Sequence, residues 1–282
     1  MKRLIIPCRA ALFCVLIVLL LTGTAAAEWP DTAGDFVLVV DSLPYDGSLF
    51  LVNGNTAYVS LREFACMADN SVVSWNTDSM TAAVTTDSLK LTVCPADSYI
   101  TANGRVLWCE NGILCLDGLI YVPVRQIARA FGFETEYVES ENTAYLTRTS
   151  GSILPGDEYY DPEDLYWLSK IIHAESAGEP FLGKLAVGTV ILNRVDSDEF
   201  PDSIYDVIFD SENGTQFTPT TNGAILKEAG DEAVLAAKIC LEDTRLSGGM
   251  LYFLNEALAE SHWITENCTF VVSIGAHDFY RD

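Results

Sequence analysis

Residues 161–180 read DPEDLYWLSKIIHAESAGEP, and this stretch combines a helix start, an apolar stripe and a helix stop. Asp161 is a typical N-cap residue, Pro162 suits the first helical position, and acids in the first turn suit the positive end of the helix dipole. Apolar residues then recur in steps of three and four, at Leu165, Leu168 and Ile172. The next position on that stripe is Glu175. The pattern predicts a helix that ends at residues 177–178, which are Ala and Gly.

Glu175 is a candidate general acid because it continues an apolar stripe. A carboxylate at the edge of a core loses hydration, which disfavours its charged form and raises its pKa, so it can donate a proton near neutral pH. The alternative is a frayed helix end with the side chain in water. Glu179 lies before Pro180, where a second helix rich in small and apolar residues is predicted to begin. The simplest role of Glu179 is capping or binding at the amino terminus of that helix.

The composition is that of a folded, acidic protein. Of its 282 residues 49% are hydrophobic, which excludes a disordered chain and suits two domains. The formal net charge is −24. Nucleic acids and anionic lipids bind clustered Lys and Arg that replace their counterions. We therefore expect no nucleic-acid partner.

Residues 1–27 have the features of a secretory signal peptide. The chain begins MKR, residues 11–21 read ALFCVLIVLLL, and residues 25–27 form a small-residue cleavage site. An uncleaved membrane anchor is the alternative, but the apolar run is short for a span. Cleavage would leave a mature chain that begins at Glu28 and carries a formal charge of −27, because three basic residues and no acid are lost. We expect a secreted protein without stable membrane insertion.

Cysteines remain after this cleavage in an even number, which permits disulfides in a secreted protein. They are Cys66, Cys94, Cys109, Cys115, Cys240 and Cys268. Cys109 and Cys115 flank an Asn-Gly turn signal in WCENGILCL, so a hairpin would place them opposite each other at disulfide distance. The alternative is thiols packed in apolar cores. None has the CxxC spacing of a zinc or redox site.

The amino-terminal half contains an internal repeat. Residues 57–64 read AYVSLREF and residues 120–127 read IYVPVRQI, a strand pattern followed by an arginine and the start of an amphipathic segment. Ser60 and Pro123 are typical helix-entry residues, and the later stretches AAVTT and AYLTR are typical of returning strands. The repeat predicts a small β-α-β module of the α+β class.

These repeats resemble the copper amine oxidase N-terminal-like domain over residues 36–148. The resemblance implies a non-catalytic module that attaches or spaces a protein at the cell envelope. It implies no copper, because this half has no histidine cluster and copper is hard to bind without clustered imidazole or thiolate ligands. Ser, Gly and Pro cluster at residues 149–157, which is the predicted boundary. We place the first domain at residues 28–150 and the second at 158–282.

The carboxyl-terminal half carries an ordered set of motifs, namely HAESAGEPFLGKLAVGTVILNRV, FPDSIYDVIFD, QFTP, MLYFLN and SIGAHDFY. Over residues 164–281 this combination resembles the SleB-type cell wall hydrolases, which include spore cortex-lytic enzymes. The resemblance implies a lysozyme-like, mainly helical catalytic domain with a short sheet, so the whole chain is expected to be α+β. It also implies a lytic transglycosylase that cuts peptidoglycan in the cell envelope or spore cortex without a cofactor. Its essential acid would be Glu175, the first glutamate of the motif A-E-x-x-G-E.

Other positions in these motifs are candidate substrate-binding residues. They are Glu179, Gln216, Phe217, Tyr252, Asn255, Trp263 and His277. An amide such as Gln216 can hydrogen-bond an N-acetyl group, and an aromatic ring can cover a sugar face. The aromatic residues suit a core equally well, and His277 suits a structural role. Relatives usually have Arg where this chain has Ser176-Ala177, and Asn-Pro where it has Asn255-Glu256, but neither departure changes Glu175.

Two other functions compete with this interpretation. A zinc amidase that cuts between muramic acid and the stem peptide would use ligands such as His173, Glu175 and His277. Residues two apart on a helix, however, point about 200° apart, so His173 and Glu175 do not converge on one metal. A non-catalytic envelope-binding protein is the other alternative, and the repeats alone would support it. The intact motif around Glu175 favours an enzyme.

Overall fold

The computed structural model describes residues 31–32, 35–52, 56–149, 151–212, 214–259 and 262–282. The predicted signal peptide and Asn213 lie outside the described residues. The chain divides into two compact units. The first consists of the described residues up to Asn103 together with Cys109–Ile153, and the second of Gly104–Trp108 and Leu154–Asp282. The domain limits given from the sequence stay a prediction.

Strands dominate the amino-terminal half of the sequence. They are β1 (Asp31–Thr32), β2 (Val37–Val40), β3 (Leu43–Pro44), β4 (Leu49–Val52), β5 (Thr56–Ser60), β6 (Val72–Asn76), β7 (Thr81–Thr85), β8 (Lys90–Val93), β9 (Tyr99–Ala102), β10 (Arg105–Trp108), β11 (Leu114–Leu116), β12 (Leu119–Pro123), β13 (Phe133–Val138) and β14 (Thr143–Arg148). Strand β10 belongs to the second unit. Within the first unit the strand orders are β1-β4-β5-β12-β11, β9-β8-β7-β6 and β13-β14-β2-β3. The pairing of β14 with β2 is parallel.

Each copy of the repeat forms a strand, a short helix and a hairpin. Strand β5 leads into α1 (Leu61–Ala65), and β12 leads into α2 (Val124–Ala130). The Ser60 side chain caps α1 by accepting a hydrogen bond from the Glu63 amide, and Pro123 is the N-cap residue of α2. The returning strands form the hairpins β6–β7 and β13–β14. The predicted helix-entry residues and returning strands are therefore confirmed.

The two copies share one core. Strands β5 and β12 pair antiparallel. Phe64 of the first copy is fully buried, and its ring packs edge-on against Phe131 and Phe133 of the second copy at centroid distances of 5.5 and 5.9 Å. Burial of such a ring stabilises the fold by about 1.5–3 kcal/mol. Each copy thus covers an apolar surface that the other would leave exposed.

The predicted disulfide between Cys109 and Cys115 is wrong. Both residues carry thiols, Cys109 buried and Cys115 exposed. The Cys109 amide bonds to the carbonyl of Ser98, whereas Cys115 lies on β11 opposite Ile120 of β12. The Asn-Gly turn signal therefore does not join two strands that pair with each other. Cys109 and Cys115 consequently do not face each other across a hairpin. Burial raises the pKa of the Cys109 thiol to about 12.

The second unit is mainly helical. After β10 its elements are α3 (Gly156–Tyr159), α4 (Pro162–Ser176), α5 (Phe181–Val195), α6 (Ile204–Phe209), α7 (Pro219–Asn222), a 3-10 turn (Ala224–Leu226), α8 (Asp231–Cys240), β15 (Tyr252–Leu254), α9 (Trp263–Asn267), β16 (Thr269–Ile274) and β17 (His277–Arg281). Its last strands form an antiparallel sheet in the order β15-β17-β16. The predicted α+β class, with a mainly helical second part and a short sheet, is confirmed.

Helices α4, α5 and α8 pack against one another, and α5 lies at the centre of this group. Gly188 of α5 marks a point of close approach. A Cβ atom at this position would lie 2.7 Å from Sγ of Cys240 and 3.0 Å from Cδ1 of Ile172. Glycine at this position therefore lets α4 and α8 approach the α5 backbone closely. Within the described part of the chain, no helix has both the length and the hydropathy of a membrane span.

Candidate active site

Helix α4 presents Glu175 in its last turn. Asp161 caps the helix, as predicted, by accepting hydrogen bonds from the amides of Glu163 and Asp164 at 2.8 and 3.1 Å. The predicted end is also confirmed, because α4 stops at Ser176. Leu168 and Ile172 on the stripe are fully buried. The stripe thus leads from the core to Glu175.

Glu175 lies at the edge of the core, partly buried rather than in open solvent. Burial raises the pKa of its carboxyl from 4.5 to about 7. Among the described residues no Lys, Arg or His forms an ion pair with it. A carboxyl that is desolvated and lacks a cationic partner keeps its proton near neutral pH, and this is the state that a general acid requires.

The raised pKa of Glu175 predicts that protein stability depends on pH. The folded protein holds this proton up to about pH 7, whereas an unfolded chain releases it near 4.5. The contribution of Glu175 to stability is therefore fully present below about pH 4.5, falls as the pH rises, and is lost above about pH 7. The loss is at most about 3 kcal/mol, and Glu175→Gln, which carries no charge, is expected to avoid it. Urea unfolding of both proteins at about pH 4 and about pH 8 measures the difference, and an identical difference at both values would contradict the assignment.

Glu179 lies just before α5, but its side chain points elsewhere. The N-cap residue of α5 is Pro180 and no side chain caps this helix, so the predicted capping role of Glu179 is wrong. The carboxylate instead accepts a hydrogen bond of 2.8 Å from the amide of Ala276, in the turn between β16 and β17. Gly275 in this turn has φ +62°, and a Cβ atom there would lie 1.9 Å from Glu179 Oε2. The carboxylate therefore anchors the turn that leads into His277.

A buried arginine brings several of the predicted residues together. The Arg194 side chain donates from Nε to the carbonyl of Leu251 at 2.7 Å and from Nη1 to Oε1 of Gln216 at 3.3 Å. Its Cζ atom lies 4.8, 5.2 and 5.4 Å from the ring centroids of Phe200, Phe217 and Tyr252. We call Arg194 and these four side chains (Phe200, Gln216, Phe217 and Tyr252) the Arg194 cluster. Burial lowers the pKa of Arg194 to about 10, so the guanidinium stays charged at neutral pH.

Arg194 was missed in the sequence. It ends the run ILNR in a helix whose other charged residue is Lys184. The signal that could have identified Arg194 is its position as a charged residue on an otherwise apolar helix. Such a helix is buried on most sides, and buried charges need specific partners.

The aromatic candidates occupy different environments. Phe217 is 3% exposed and belongs to the core, as its alternative interpretation stated, whereas Trp263 is 54% exposed. The Trp263 ring packs edge-on against Tyr252 at 5.8 Å and thereby joins the Arg194 cluster to the surface. Burial is the main cause that raises the pKa of Tyr252 to about 12. Trp263 is the most exposed ring of this group.

Asn255 and His277 lie at the same end of the β15-β17-β16 sheet, after β15 and at the start of the central strand β17. Asn255 follows β15, and its Oδ1 accepts a hydrogen bond from the Ala257 amide at 3.1 Å, so it shapes a turn. The His277 ring packs edge-on against Phe253 at 5.3 Å, and its Nδ1 atom is buried without a hydrogen-bond partner in the described structure. Phe253 in turn contacts Phe217 at 6.3 Å, which connects His277 to the Arg194 cluster.

The ligands proposed for a zinc amidase do not converge. Nδ1 of His173 accepts a hydrogen bond from the amide of Gly230 at 3.3 Å. In the described part of the chain, His, Cys, Asp and Glu side chains form no group of three or more with metal-site geometry. The arrangement that does exist is a carboxyl with a raised pKa on α4, which packs against both α5 and α7, and a polar-aromatic cluster around the end of α5. Such a site suits acid–base chemistry on a ligand that offers hydroxyls, amides and apolar ring faces.

Both halves of the chain match known protein families. Residues 178–280 match the family described as Cell Wall Hydrolase, and residues 40–146 match the family described as Copper amine oxidase N-terminal domain. A spore cortex-lytic enzyme of Oceanobacillus iheyensis is 35% identical over 122 residues, which are 43% of this chain and 43% of the relative. The corresponding enzyme of Bacillus subtilis is 32% identical over 111 residues, 39% of this chain and 35% of the relative. The chain thus spans less than half the length of these curated relatives.

Solved structures match the second unit. The catalytic domain of the germination-specific lytic transglycosylase SleB from Bacillus anthracis is 33% identical, with 45% of this chain and 100% of that domain covered and a TM-score of 0.40. The catalytic domain of Bacillus cereus SleB is 34% identical, with 43% and 92% covered and a TM-score of 0.39. Both resemblances stated from the sequence are confirmed. Over residues 178–280 this chain is therefore similar to the cell wall hydrolases.

Proposed function

We propose that this protein cleaves the glycan strands of peptidoglycan as a lytic transglycosylase, with Glu175 as its single acid and base. The bond cut is the β-1,4 bond between N-acetylmuramic acid and N-acetylglucosamine. The observation that carries the proposal is the desolvated Glu175 carboxyl without a cationic partner. Support comes from relatives that are named spore cortex-lytic enzymes and a germination-specific lytic transglycosylase.

The mechanism needs one carboxyl group. Glu175 donates its proton to the bridging oxygen, the bond from that oxygen to C1 of muramic acid breaks, and its electron pair stays on the leaving N-acetylglucosamine. Dipoles of the site stabilise the oxocarbenium-like charge at C1. The Glu175 carboxylate then takes the proton of the muramic 6-hydroxyl while that oxygen attacks C1. A 1,6-anhydro ring forms and Glu175 regains its proton.

A second working carboxylate is not required, and Glu179 is already engaged. An ordinary glycosidase uses two carboxylates at a defined separation to activate water or hold a covalent intermediate. The Glu179 carboxylate is bonded to the Ala276 amide, which suits an anchor for the β16–β17 turn. Its contribution to substrate binding, like those of Gln216, Phe217, Tyr252, Asn255, Trp263 and His277, stays a proposal.

We place this activity outside the cytoplasm, on the cell wall or spore cortex. The repeat unit at the amino terminus would then serve as a non-catalytic module for attachment or spacing at the envelope. The net charge of −24 disfavours nucleic acid as a partner, because nucleic acids bind clustered basic residues.

Product analysis tests the proposed reaction. The protein is incubated with purified vegetative peptidoglycan and with spore cortex, with and without a chelator, and the products are identified by mass spectrometry. We expect anhydro-muropeptides whose yield does not change with chelator. Reducing-end muropeptides would indicate hydrolysis by water, released stem peptides that disappear with chelator would indicate a metal amidase, and no product on either substrate would indicate a binding protein.

A further inference from the structure

Arg194 is a buried cation that Asp210 attracts without forming an ion pair with it in the described structure. Its residue is 5% exposed, and in the described structure no Asp or Glu forms an ion pair with it. Its hydrogen bonds go instead to the carbonyl of Leu251 and to the side-chain amide of Gln216. A buried charge is costly unless its donors are satisfied, so these two acceptors are matched to Arg194.

This contact determines which way the Gln216 amide faces. Arginine has donors and no acceptor, so the atom 3.3 Å from Nη1 must be the amide oxygen. On the other side, Nε2 of Gln216 lies 3.3 Å from the carbonyl of Gly214, which is an acceptor and requires the nitrogen there. Two independent contacts therefore give one orientation. An amide NH2 group has two N–H bonds, and the half-exposed Gln216 keeps one of them for a ligand.

We propose that Arg194 is a positioning residue that holds the Gln216 amide with its NH2 group outward, and that Gln216 donates to the acetamido carbonyl of a hexosamine in the glycan. This inference rests on the proposed function and deepens it by naming the substituent that Gln216 recognises. An acetamido carbonyl is an acceptor, which matches the N–H that Gln216 offers. A de-N-acetylated hexosamine carries an ammonium group at the same position, which is a donor only and cannot accept this hydrogen bond.

The surroundings of Gln216 fit a sugar ligand. Phe217, the next residue, is fixed in the core by Arg194 and Phe253. Tyr252 of the same cluster supports the exposed ring of Trp263, which offers an apolar face. The ring that would cover a sugar therefore contacts the cluster that contains the hydrogen-bond donor for the acetamido group.

Selectivity for N-acetylation tests the inference. The substrates are glycan strands freed of stem peptides, before and after chemical de-N-acetylation. We compare four full-length proteins, namely wild type, Arg194→Lys, Gln216→Glu and the control Arg245→Lys. Their kcat/KM is measured on both substrates. Their binding to both substrates is measured by calorimetry after Glu175→Gln has been introduced into each. Arg245 is a matched control because it also bonds a carbonyl, that of Cys240 at 2.8 Å, but lies outside the Arg194 cluster.

We expect wild type and Arg245→Lys to prefer the acetylated strand by about tenfold, the effect of one hydrogen bond. Arg194→Lys is expected to reduce this preference to about twofold or less, because lysine lacks the planar fork that reaches both acceptors. Gln216→Glu is expected to reverse the preference, since a carboxylate attracts the ammonium group of the de-N-acetylated strand. A misfolded variant would lose activity on both substrates alike, so misfolding could not reverse the preference.

The outcomes separate this inference from the proposed function. The inference would be overturned if Arg194→Lys kept the wild-type preference for the acetylated strand, or if Gln216→Glu lost activity equally on both substrates. Cleavage of peptidoglycan by the wild type would be unaffected by either result. Preferential binding of acetylated strands without any cleavage would overturn the proposed reaction and keep the inference. Absence of both binding and cleavage would overturn the two together.

Discussion

Glu175→Gln is expected to lower kcat on peptidoglycan by about 10²- to 10⁴-fold, the contribution of a positioned general acid. Glutamine keeps the size and hydrogen-bonding capacity of the side chain but has no proton to donate to the bridging oxygen. The raised pKa of Glu175, about 7, means that the wild-type group is protonated in a sizeable fraction of molecules at neutral pH. The rate of anhydro-muropeptide formation, followed by mass spectrometry at about pH 7, measures the loss.

Two comparisons make this result specific to Glu175. Glu163→Gln changes an exposed glutamate in the first turn of the same helix and is expected to keep wild-type activity. Glu175→Gln itself should be at least as stable as wild type above about pH 7, because it removes a desolvated charge. Near-wild-type turnover by Glu175→Gln would contradict the single-acid mechanism, and equal losses in both variants would assign the effect to the helix rather than to the acid.

Glu242→Ala is expected to lower the free energy of unfolding of the second unit by about 3–5 kcal/mol. Glu242 and Arg105 are each 4% exposed, and they form a two-point ion pair with distances of 2.8 and 2.6 Å. Tyr160 donates a further hydrogen bond of 2.7 Å to the same carboxylate. Truncation of Glu242 would leave the Arg105 guanidinium buried and uncompensated, and that cost exceeds the worth of the lost contact. Urea unfolding at about pH 7 measures the change.

A half-exposed ion pair and a double variant serve as controls. Glu232 pairs with the buried Lys184 at 3.1 Å, but the Glu232 side chain is 67% exposed and Lys184 keeps its hydrogen bond to the carbonyl of Glu179, so Glu232→Ala is expected to cost less than Glu242→Ala. Arg105→Met combined with Glu242→Leu removes both charges and is expected to recover much of the loss seen in Glu242→Ala. A Glu242→Ala effect no larger than that of Glu232→Ala would show that the carboxylate is not desolvated in solution.

Local patterns predicted the elements on which the site is built. The Asp161 cap, the end of α4 before Gly178 and the strand-to-helix transitions at Ser60 and Pro123 depend on residues within a few positions of one another. The placement of Glu175 at the edge of the core followed from helical periodicity in the same way, because a residue three or four positions after a buried one lies on the same face. The α+β class followed from the repeat and from the resemblance of the second half.

The sequence by itself therefore predicted the main helices and strands, the repeat, the resemblance to cell wall hydrolases and the place of Glu175 on α4. Only the tertiary structure decided what the long-range partners are. Cys109 and Cys115 are close in sequence but belong to different strand pairings, and Glu179 binds an amide 97 positions away instead of capping the next helix. Arg194 and Gln216 meet across 22 positions, and Arg105 and Glu242 across 137. Such contacts depend on how separate elements dock, and periodicity and capping describe only the neighbours of a residue along its own element.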